Sequence, residues 1–364
     1  MGESVLGDRR AEYERLTRCF EWRRRPDGHD RFLHVFIEQN NTCNLKCKMC
    51  GFSDPRVASV SRYHLPTALF EAIARQVFPA TSYLHMSLAT EPFMTPDFPD
   101  RLQLVREYQV PYSLVVTNGT LLTDAKIEKI LDAQITALAF SIDGGTKQIY
   151  EDIRVGSKFE TVLRHLERFK ELRARRDVTL PRLRINHVLM YQNIDHFPDF
   201  LKLLLSVGAE QVDVRTIQPM GYAMGRETKD PVFYEKVAAL RPLLRDCCDR
   251  NGIEDCGFMR DQAGVIDVLT SSGTRMTCRR VWDTAVILAN GDVLPCLTWT
   301  RRPLGNLARH PFEDIWFGEE AEKFRSEFER LKPGVDCQHC SIKQVEPAGV
   351  YDDFFMQLVG RPPE

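Results

Sequence analysis

The sequence predicts an α/β fold in which a parallel sheet carries helices on its outside. Strand-like and helix-like segments alternate six times between residues 31 and 230, and this rhythm changes from about Gly264. Repeated alternation of this kind is typical of parallel sheets, and six units favour a partial barrel. We therefore expect the chemistry at the carboxyl ends of the strands, the side that full barrels use.

The six predicted strands are apolar runs bounded by turn residues. They cover Phe32–Gln39, Tyr83–Ala89, Tyr112–Asn118, Ala137–Asp143, Leu183–Met190 and Gln211–Ile217. The helices between them repeat apolar residues at helical spacing. The clearest are the set Leu65, Leu69, Ile73 and Val77, the segment Asp124–Gln134, the stripe from Phe159 to Phe169, and Phe197–Val207, which Gly208 is expected to end.

Five segments are expected along the chain. Residues 1–30 form a polar helical lead-in, residues 31–230 the barrel, and residues 231–263 a linker region with a helix over Pro231–Asn251. Residues 264–350 form a small α+β domain, with a hairpin turn at Asn290-Gly291-Asp292 and a helix over Pro311–Leu331. Residues 351–364 are a C-terminal tail.

The composition is that of a globular protein without an excess of either charge. Of the 364 residues 43% are hydrophobic and 27% charged, and the net charge is −2, so nucleic acid is not an expected partner. The chain has no long apolar run and no secretion signal, which predicts a cytoplasmic protein without a membrane partner. Eleven cysteines without an export signal then indicate metal ligation more than disulfides.

Three of these cysteines lie close together directly after the first predicted strand. Cys43, Cys47 and Cys50 have the spacing C-x3-C-x2-C. Thiolate is the preferred protein ligand of a cubane [4Fe–4S] cluster, and three thiolates leave one iron open to a further ligand. A zinc site would need a fourth ligand, for which His64 is the nearest candidate at an unusual distance. A disulfide with a spare thiol would suit a secreted protein.

The triad resembles the signature of the radical S-adenosylmethionine (radical SAM) superfamily. The resemblance implies that the open iron chelates SAM, and that one electron cleaves SAM to a 5′-deoxyadenosyl radical, which abstracts hydrogen from the substrate. It implies a partial (β/α)6 TIM-like barrel. It also implies a catalytic role for Cys43, Cys47 and Cys50, and an electron donor such as flavodoxin or ferredoxin.

Two segments after the second and third strands resemble SAM-binding elements of that family. Leu88-Ala89-Thr90-Glu91-Pro92 is similar to its Gly-Gly-Glu-Pro segment, with both glycines replaced. The resemblance assigns Glu91 to the amino group of SAM, a pairing that suits a carboxylate. Thr117-Asn118-Gly119 is similar to the Thr-Asn-Gly turn of the family, which makes Asn118 a cofactor-binding candidate.

The fourth and fifth strands supply further candidates for SAM binding. Ser141 and Asp143 fall on one face by strand alternation, and either can hydrogen-bond a ribose hydroxyl, a use that the family makes of this strand. Arg154 resembles an arginine that pairs with the SAM carboxylate, a task that suits a planar guanidinium. Asn193 also matches a recurring asparagine of the family.

A second cysteine set lies in the C-terminal region. Cys278, Cys296, Cys337 and Cys340 resemble the SPASM/twitch extension of radical SAM enzymes, which holds auxiliary [4Fe–4S] clusters. No cysteine follows Cys340, which favours the twitch form with one auxiliary cluster for electron transfer. A four-cysteine zinc site is the alternative. The cysteines left over are expected to be small buried side chains: Cys19, Cys247, Cys248 and Cys256.

The first-ranked functional prediction is a radical SAM oxidoreductase acting on a small polar metabolite, a sugar or aminocyclitol. It rests on the single auxiliary cluster, whose cysteine spacing resembles that of an aminocyclitol dehydrogenase. The alternative is a maturase of a ribosomally synthesised peptide; about 30 residues precede the first strand, too few for the added peptide-recognition domain of many such enzymes. Leu297, directly after Cys296, counts against sulfatase maturation, which uses aspartate there.

A non-catalytic metal-binding scaffold is the third possibility, against which the triad together with Glu91 argues. A dehydrogenation would also need a proton acceptor. The polar residues near the ends of the fifth and sixth strands are weak candidates for it: Asn186, His187, Tyr191, Asp213, Arg215 and Gln218.

Overall fold

The structure, a computed structural model, describes residues 31–58, 60–217, 230–256, 266–267, 277–278, 283–297 and 302–329. Its strands confirm the predicted alternation. The six barrel strands are β1 Leu33–Ile37, β2 Thr81–His85, β3 Tyr112–Thr117, β4 Ala137–Ser141, β5 Arg182–Leu189 and β6 Gln211–Thr216. The later described strands are β7 Glu254–Asp255, β8 Ile266–Asp267, β9 Thr277–Cys278, β10 Thr284–Ile287, β11 Asp292–Leu294 and β12 Gly305–Asn306.

Helices connect these strands and cover the outside of the sheet. They are α1 Pro55–Ala58, α2 Thr67–Val77, α3 Phe98–Glu107, α4 Asp124–Ala133, α5 Lys147–Ile153, α6 Phe159–Arg175, α7 Phe197–Val207, α8 Pro231–Asn251, α9 Phe312–Trp316 and α10 Glu319–Glu329. Helix α7 ends at Gly208 as predicted, because Gly208 takes the left-handed conformation with φ of 66°.

One predicted helix is two helices. The segment Pro311–Leu331 was expected to be continuous, but α9 ends at Trp316 and α10 begins at Glu319. Gly318 allows the break, because a Cβ atom there would lie 2.4 Å from the carbonyl oxygen of Asp314. The chain can pass this close to its own backbone only where there is no side chain.

The described strands other than β8 and β9 form one open sheet of ten strands. Its order is β12-β11-β10-β1-β2-β3-β4-β5-β6-β7. The eight strands from β10 to β7 in this order are parallel to their neighbours, whereas β11 is antiparallel to β10 and β12 is antiparallel to β11. Strand β10 pairs with β1 in the register Val35 opposite Ala285. The hairpin that was predicted within the C-terminal domain therefore extends the barrel sheet at its β1 edge.

Strand β2 begins and ends earlier than the predicted run Tyr83–Ala89. A single turn over Phe78–Ala80 follows α2 directly and starts the strand at Thr81. At the other end, the backbone N–H of Val116 donates to the hydroxyl of Ser87 at 2.9 Å. The Ser87 hydroxyl thus takes the place of a backbone carbonyl as the partner of Val116. The residues from Met86 to Glu91 form a loop at the carboxyl edge.

The outer and inner faces of the barrel sheet differ in polarity. Outward side chains join the main core with residues such as Phe70 of α2 and Phe169 of α6, both fully buried. The inner face carries a mixture of aromatic, small and polar side chains, such as Tyr83 of β2, Ala139 of β4 and Arg184 of β5, of which the last two lie opposite each other. A cavity lies on this face, and its lining includes Tyr83 and Arg184.

Candidate active site

A cavity of about 610 Å³ opens at the carboxyl ends of the parallel strands. Most of the predicted site residues that the structure describes line it. They are Cys43, Cys47, Cys50, Glu91, Asn118, Ser141 and Arg154. The carboxyl ends of neighbouring parallel strands meet at one edge, which explains why residues so far apart in sequence converge there.

The cysteine loop follows β1 and is held in place by its backbone. The N–H groups of Lys46 and Lys48 donate to the carbonyl oxygens of Val155 and Ile153, each at 3.0 Å. These bonds attach the loop to the end of α5. The loop is therefore fixed against the segment that carries Arg154.

Of the three cysteines, Cys47 is buried, and Cys43 and Cys50 are half-buried. Burial raises the pKa of Cys43 to about 12 and that of Cys47 to about 11, and it raises the pKa of Cys50 as well. Thiolates at these positions need positive charge beside them, which bound iron supplies. Three soft sulfur donors around one cavity fit an iron–sulfur cluster better than a hard oxygen-seeking ion.

Two polar side chains approach the sulfur atoms. The Asn118 Nδ2 atom lies 3.9 Å from Cys43 Sγ, and Arg154 Nη1 lies 3.9 Å from Cys47 Sγ. Donors to sulfur tune the electronic properties of cluster ligands. Among the described residues no three His, Cys, Asp or Glu side chains are placed to hold a single metal ion, and the predicted zinc-ligand candidate His64 contacts the hydroxyl of Thr95 through Nδ1 at 3.2 Å.

The Glu91 carboxylate connects the loops that follow β2 and β3. It is 2% exposed and accepts hydrogen bonds from Thr117 Oγ1 at 2.8 Å, the Asn118 N–H at 2.7 Å and the Phe93 N–H at 3.2 Å. Burial raises the pKa of Glu91 to about 7, although these hydrogen bonds oppose the shift. Its predicted contact with the amino group of SAM stays a prediction.

Asn118 connects the same edge to the cysteine loop. Its Nδ2 atom donates to Asn44 Oδ1 at 2.9 Å, and its Oδ1 atom accepts from the Thr120 N–H at 2.9 Å. Asn44 Nδ2 in turn donates to Thr120 Oγ1 at 2.8 Å. This closed set of amide and hydroxyl bonds orients the Cys43 side of the site.

Asp143 and Arg154 form a buried ion pair. The Asp143 Oδ2 atom lies 2.7 Å from Arg154 Nε, with the two side chains 0% and 9% exposed. Burial alone would lower the pKa of Arg154, but the charges of Asp143 and Cys47 outweigh it and raise that pKa. Arg154 is therefore a fixed cation at the cavity wall.

The two predicted residues at the end of β4 have different surroundings. Ser141 lines the cavity as predicted, whereas the fully buried Asp143 carboxylate accepts the Val188 N–H at 2.7 Å in addition to pairing with Arg154. Strand β4 ends at Ser141, Ile142 between the two residues packs in the main core, and the predicted contacts of Ser141 and Asp143 with a ribose stay predictions. Asn193 is also buried and donates to the backbone carbonyl of Asp143 at 2.9 Å.

The opposite end of the cavity is built by β5 and β6. Asp213 accepts from Arg184, and from Arg215 Nε at 3.0 Å and Nη2 at 2.9 Å. Burial alone would raise the pKa of Asp213, but the two arginines lower it, so the carboxylate stays ionised. Arg184 was not predicted, although alternation along β5 places it on the same face as Asn186, to which it donates at 2.9 Å.

An aromatic wall on β1 and β2 faces these charges, and it was also not predicted. Its members are His34, Phe36, Tyr83 and His85, with the Phe36 and His85 rings stacked at 5.4 Å. Burial lowers the pKa of His85 to about 3 and raises that of Tyr83 to about 12. Both rings are therefore neutral at pH 7.

The weak candidates for a proton acceptor separate into two groups. Asn186, His187, Asp213 and Arg215 line the cavity, and Tyr191 is not among the lining residues. His187 donates from Nδ1 to the Ile142 carbonyl at 2.9 Å, and the Tyr191 hydroxyl donates to Asp230. Gln218 lies outside the described residues.

The second cysteine set is described only in part. Cys278 is in β9, and Cys337 and Cys340 lie outside the described residues. Cys296 follows β11 and packs against the core, and the next residue, Leu297, lines the cavity. Of the remaining cysteines Cys247 and Cys248 are buried in α8, Cys256 is half-buried, and Cys19 lies outside the described residues.

Family models match two parts of the chain. The radical SAM superfamily model matches residues 37–204, and the model of SPASM, an iron-sulfur cluster-binding domain, matches residues 278–341. The AdoMet-dependent heme synthase of Methanosarcina barkeri is 27% identical over 321 residues, which cover 83% of this chain and 86% of that protein. The PqqA peptide cyclase of Rhodopseudomonas palustris is 25% identical over 337 residues, which cover 87% and 81% of the two chains.

Solved structures agree on the fold. SuiB of Streptococcus suis bound to S-adenosylmethionine superposes with a TM-score of 0.64 at 14% identity, covering 94% of this chain and 76% of SuiB. The protein anSMEcpe with bound AdoMet gives 0.61 at 19% identity, covering 90% and 92%. SuiB bound to its precursor peptide SuiA gives 0.63 at 16% identity, covering 94% and 75%.

The described part of the chain has no helix with both the length and the apolarity of a membrane span. The family matches imply SAM and [4Fe–4S] clusters as cofactors. The triad, the partial barrel with its cavity at the strand ends, and the two family matches lead to one assignment. The chain is an enzyme of the radical SAM superfamily with a C-terminal SPASM-type iron–sulfur domain.

Proposed function

We propose that this radical SAM enzyme is a maturase that modifies a ribosomally synthesised peptide. The observation that carries the proposal is the similarity to PqqA peptide cyclases over more than four fifths of both chains. The same overall fold in SuiB, which is known bound to a precursor peptide, supports it. The comparisons do not support the first-ranked prediction of a sugar or aminocyclitol substrate, and the alternative prediction fits them better.

In this proposal Cys43, Cys47 and Cys50 hold the cluster that binds SAM. When bound, that cluster supplies the electron that cleaves SAM to the radical which abstracts hydrogen from the substrate. The residues around it position SAM. Arg154, held by Asp143, faces the cavity as a cation suited to the SAM carboxylate, and Ser141 provides a hydroxyl for the ribose.

Glu91 acts in this proposal mainly by holding the site together. Its carboxylate accepts three bonds from the chain itself, so it orients the loops that carry Asn118 and Thr117. Its charge, when ionised, also attracts the ammonium group of SAM across the cavity edge. The pKa of about 7 makes that charge incomplete at neutral pH until a cation binds nearby.

The C-terminal cysteines would hold the auxiliary cluster. Cys278, Cys296, Cys337 and Cys340 are its proposed ligands, and with four thiolates the cluster has no open site for substrate. Leu297 supports a location near the reaction, because it lines the same cavity and is bonded to Cys296. A cluster held by these cysteines would supply an electron acceptor close to the cavity.

The test is an oxygen-free incubation of the reconstituted full-length chain with SAM, dithionite and short peptides encoded beside its gene. One peptide is prepared with deuterium at all side-chain and α carbons. We expect a mass change in the peptide and transfer of deuterium into 5′-deoxyadenosine. The Cys47→Ala variant is the control, since it should form neither product.

Two results would contradict the proposal. One is 5′-deoxyadenosine that never contains deuterium while every peptide is recovered unchanged. The other is transfer of deuterium from a labelled sugar or aminocyclitol in place of the peptide, which would restore the first-ranked prediction.

A further inference from the structure

The end of the cavity remote from the cysteine triad carries a net positive charge. Among the described residues that line the cavity, the acidic ones are Glu91 and Asp213, and the cationic ones are Arg154, Arg184 and Arg215. Glu91 contacts Thr117 and Asn118 beside the triad, and Arg154 is paired with Asp143. At the β5–β6 end two arginines therefore share the single carboxylate of Asp213.

The two arginines have different surroundings. The Arg184 side chain is 7% exposed and is held by Asn186 and Asp213, so it is part of the wall. The Arg215 side chain is 64% exposed and meets Asp213 through Nε and Nη2. A guanidinium has five N–H groups, so the contacts with Asp213 leave Arg215 able to donate to a second carboxylate.

The opposite wall is apolar and aromatic. Phe36 stacks with His85, and Tyr83 stacks with Tyr112 at 5.1 Å. A molecule that fills this end meets rings on one side and an exposed cation on the other. Apolar surface with one placed charge is the usual pattern by which a pocket fixes orientation.

We propose that Arg215 binds a carboxylate of the substrate, and that in the peptide this carboxylate is an Asp or Glu side chain next to an aromatic or aliphatic residue. The statement that this carboxylate belongs to an Asp or Glu of a peptide rests on the proposed maturase function. Asp213 positions the guanidinium, and Arg184 keeps Asp213 ionised and in place. The carboxylate anchors the substrate so that a neighbouring carbon extends toward the triad.

The test measures binding to the reconstituted full-length chain with SAM present and no reductant, so that no turnover occurs. Three probes are compared by titration calorimetry: the capped peptide acetyl-Phe-Glu-amide, its matched form acetyl-Phe-Gln-amide, and 3-phenylpropionate. The variants are Arg215→Gln, Arg215→Lys, and Arg164→Gln as an exposed control on the outer helix α6.

A charge-assisted hydrogen bond predicts that the wild-type chain binds the Glu peptide about tenfold more tightly than the Gln peptide. Arg215→Gln should abolish this preference, Arg215→Lys should keep part of it, and Arg164→Gln should keep all of it. Binding of 3-phenylpropionate alone, lost in Arg215→Gln, would support the carboxylate site and count against a peptide substrate. Equal binding of both peptides, or no binding of any probe by a chain that still binds SAM, would overturn the inference.

Discussion

The Asp143 carboxylate lies 2.7 Å from the Arg154 guanidinium in a fully buried setting, and Arg154 in turn approaches Cys47 Sγ at 3.9 Å. The pair joins the end of β4 to the residue that follows α5. The positive charge of Arg154 is balanced by Asp143 on one side. On the other side Arg154 lines the cavity, where it can pair with an anionic group. This arrangement explains how an arginine can remain buried at a site that also needs positive charge.

Breaking this pair should weaken SAM binding. Asp143→Asn removes the charge that holds Arg154, so we expect the Kd for SAM to rise about tenfold and the free energy of unfolding to fall by about 3 kcal/mol. Equilibrium dialysis with labelled SAM and urea unfolding measure the two effects. Asp152→Asn is the control, because Asp152 is 53% exposed in its pair with Lys48. An unchanged Kd in Asp143→Asn would show that Arg154 does not depend on Asp143.

Removing one cysteine of the triad should remove one cluster. The wild-type chain should contain about eight iron atoms after oxygen-free reconstitution, as expected for two cubanes. Cys47→Ala should lose about half of this iron and all formation of 5′-deoxyadenosine. Cys248→Ala should keep both, because Cys248 is a buried cysteine of α8 away from the cavity lining. A Cys47→Ala chain with full iron content would exclude the triad as ligands.

Neutralising Glu91 should loosen the strand ends. In Glu91→Gln the new amide places N–H groups where the carboxylate now accepts from Asn118, Thr117 and Phe93. One or more of these buried donors is then left without an acceptor, which costs about 1–3 kcal/mol. Urea unfolding of the unloaded chain measures the loss, and Glu107→Gln on the exposed side of α3 should show none. A Glu91→Gln chain as stable as the wild type would remove this structural role.

A buried carboxyl group should make stability depend on pH. Glu38 follows β1, is fully buried, and accepts the Ala289 N–H at 3.0 Å at the end of β10. Burial raises its pKa to about 8 from the ordinary value of 4.5. Between pH 4.5 and about pH 8, Glu38 is therefore protonated in the folded chain and ionised in the unfolded chain. Because the folded chain binds the additional proton, the free energy of unfolding falls as the pH rises through this interval.

The measurement compares wild type and Glu38→Gln by urea unfolding. From pH 6 to pH 8 the free energy of unfolding of the wild type should fall by about 2 kcal/mol more than that of the variant, because the glutamine does not titrate. Identical pH profiles would show that Glu38 ionises normally in the folded chain. The conservative variant keeps the oxygen that accepts from Ala289, so the difference reports on charge.

The local features of this protein were predictable because each depends on residues close in the chain. The apolar run and turn at Tyr112–Asn118 predicted β3 to within one residue, and the helical pattern predicted α7 with its stop at Gly208. The spacing of Cys43, Cys47 and Cys50 predicted a cluster loop at the carboxyl edge, and the structure places that loop at the cavity.

Contacts between distant segments could not be obtained in this way. The pairing of β10 with β1 joins residues about 250 positions apart, and no periodicity in either strand reveals it. The pairing of Asp143 with Arg154, and the sharing of Asp213 by Arg184 and Arg215, depend on where β4 ends and on the register of β5 with β6. Residue types and spacings were thus sufficient for the superfamily and for most elements, although not for the bounds of β2 or for the break between α9 and α10. The electrostatic partners at the site arise from packing between strands, because register and crossover geometry set which charges meet.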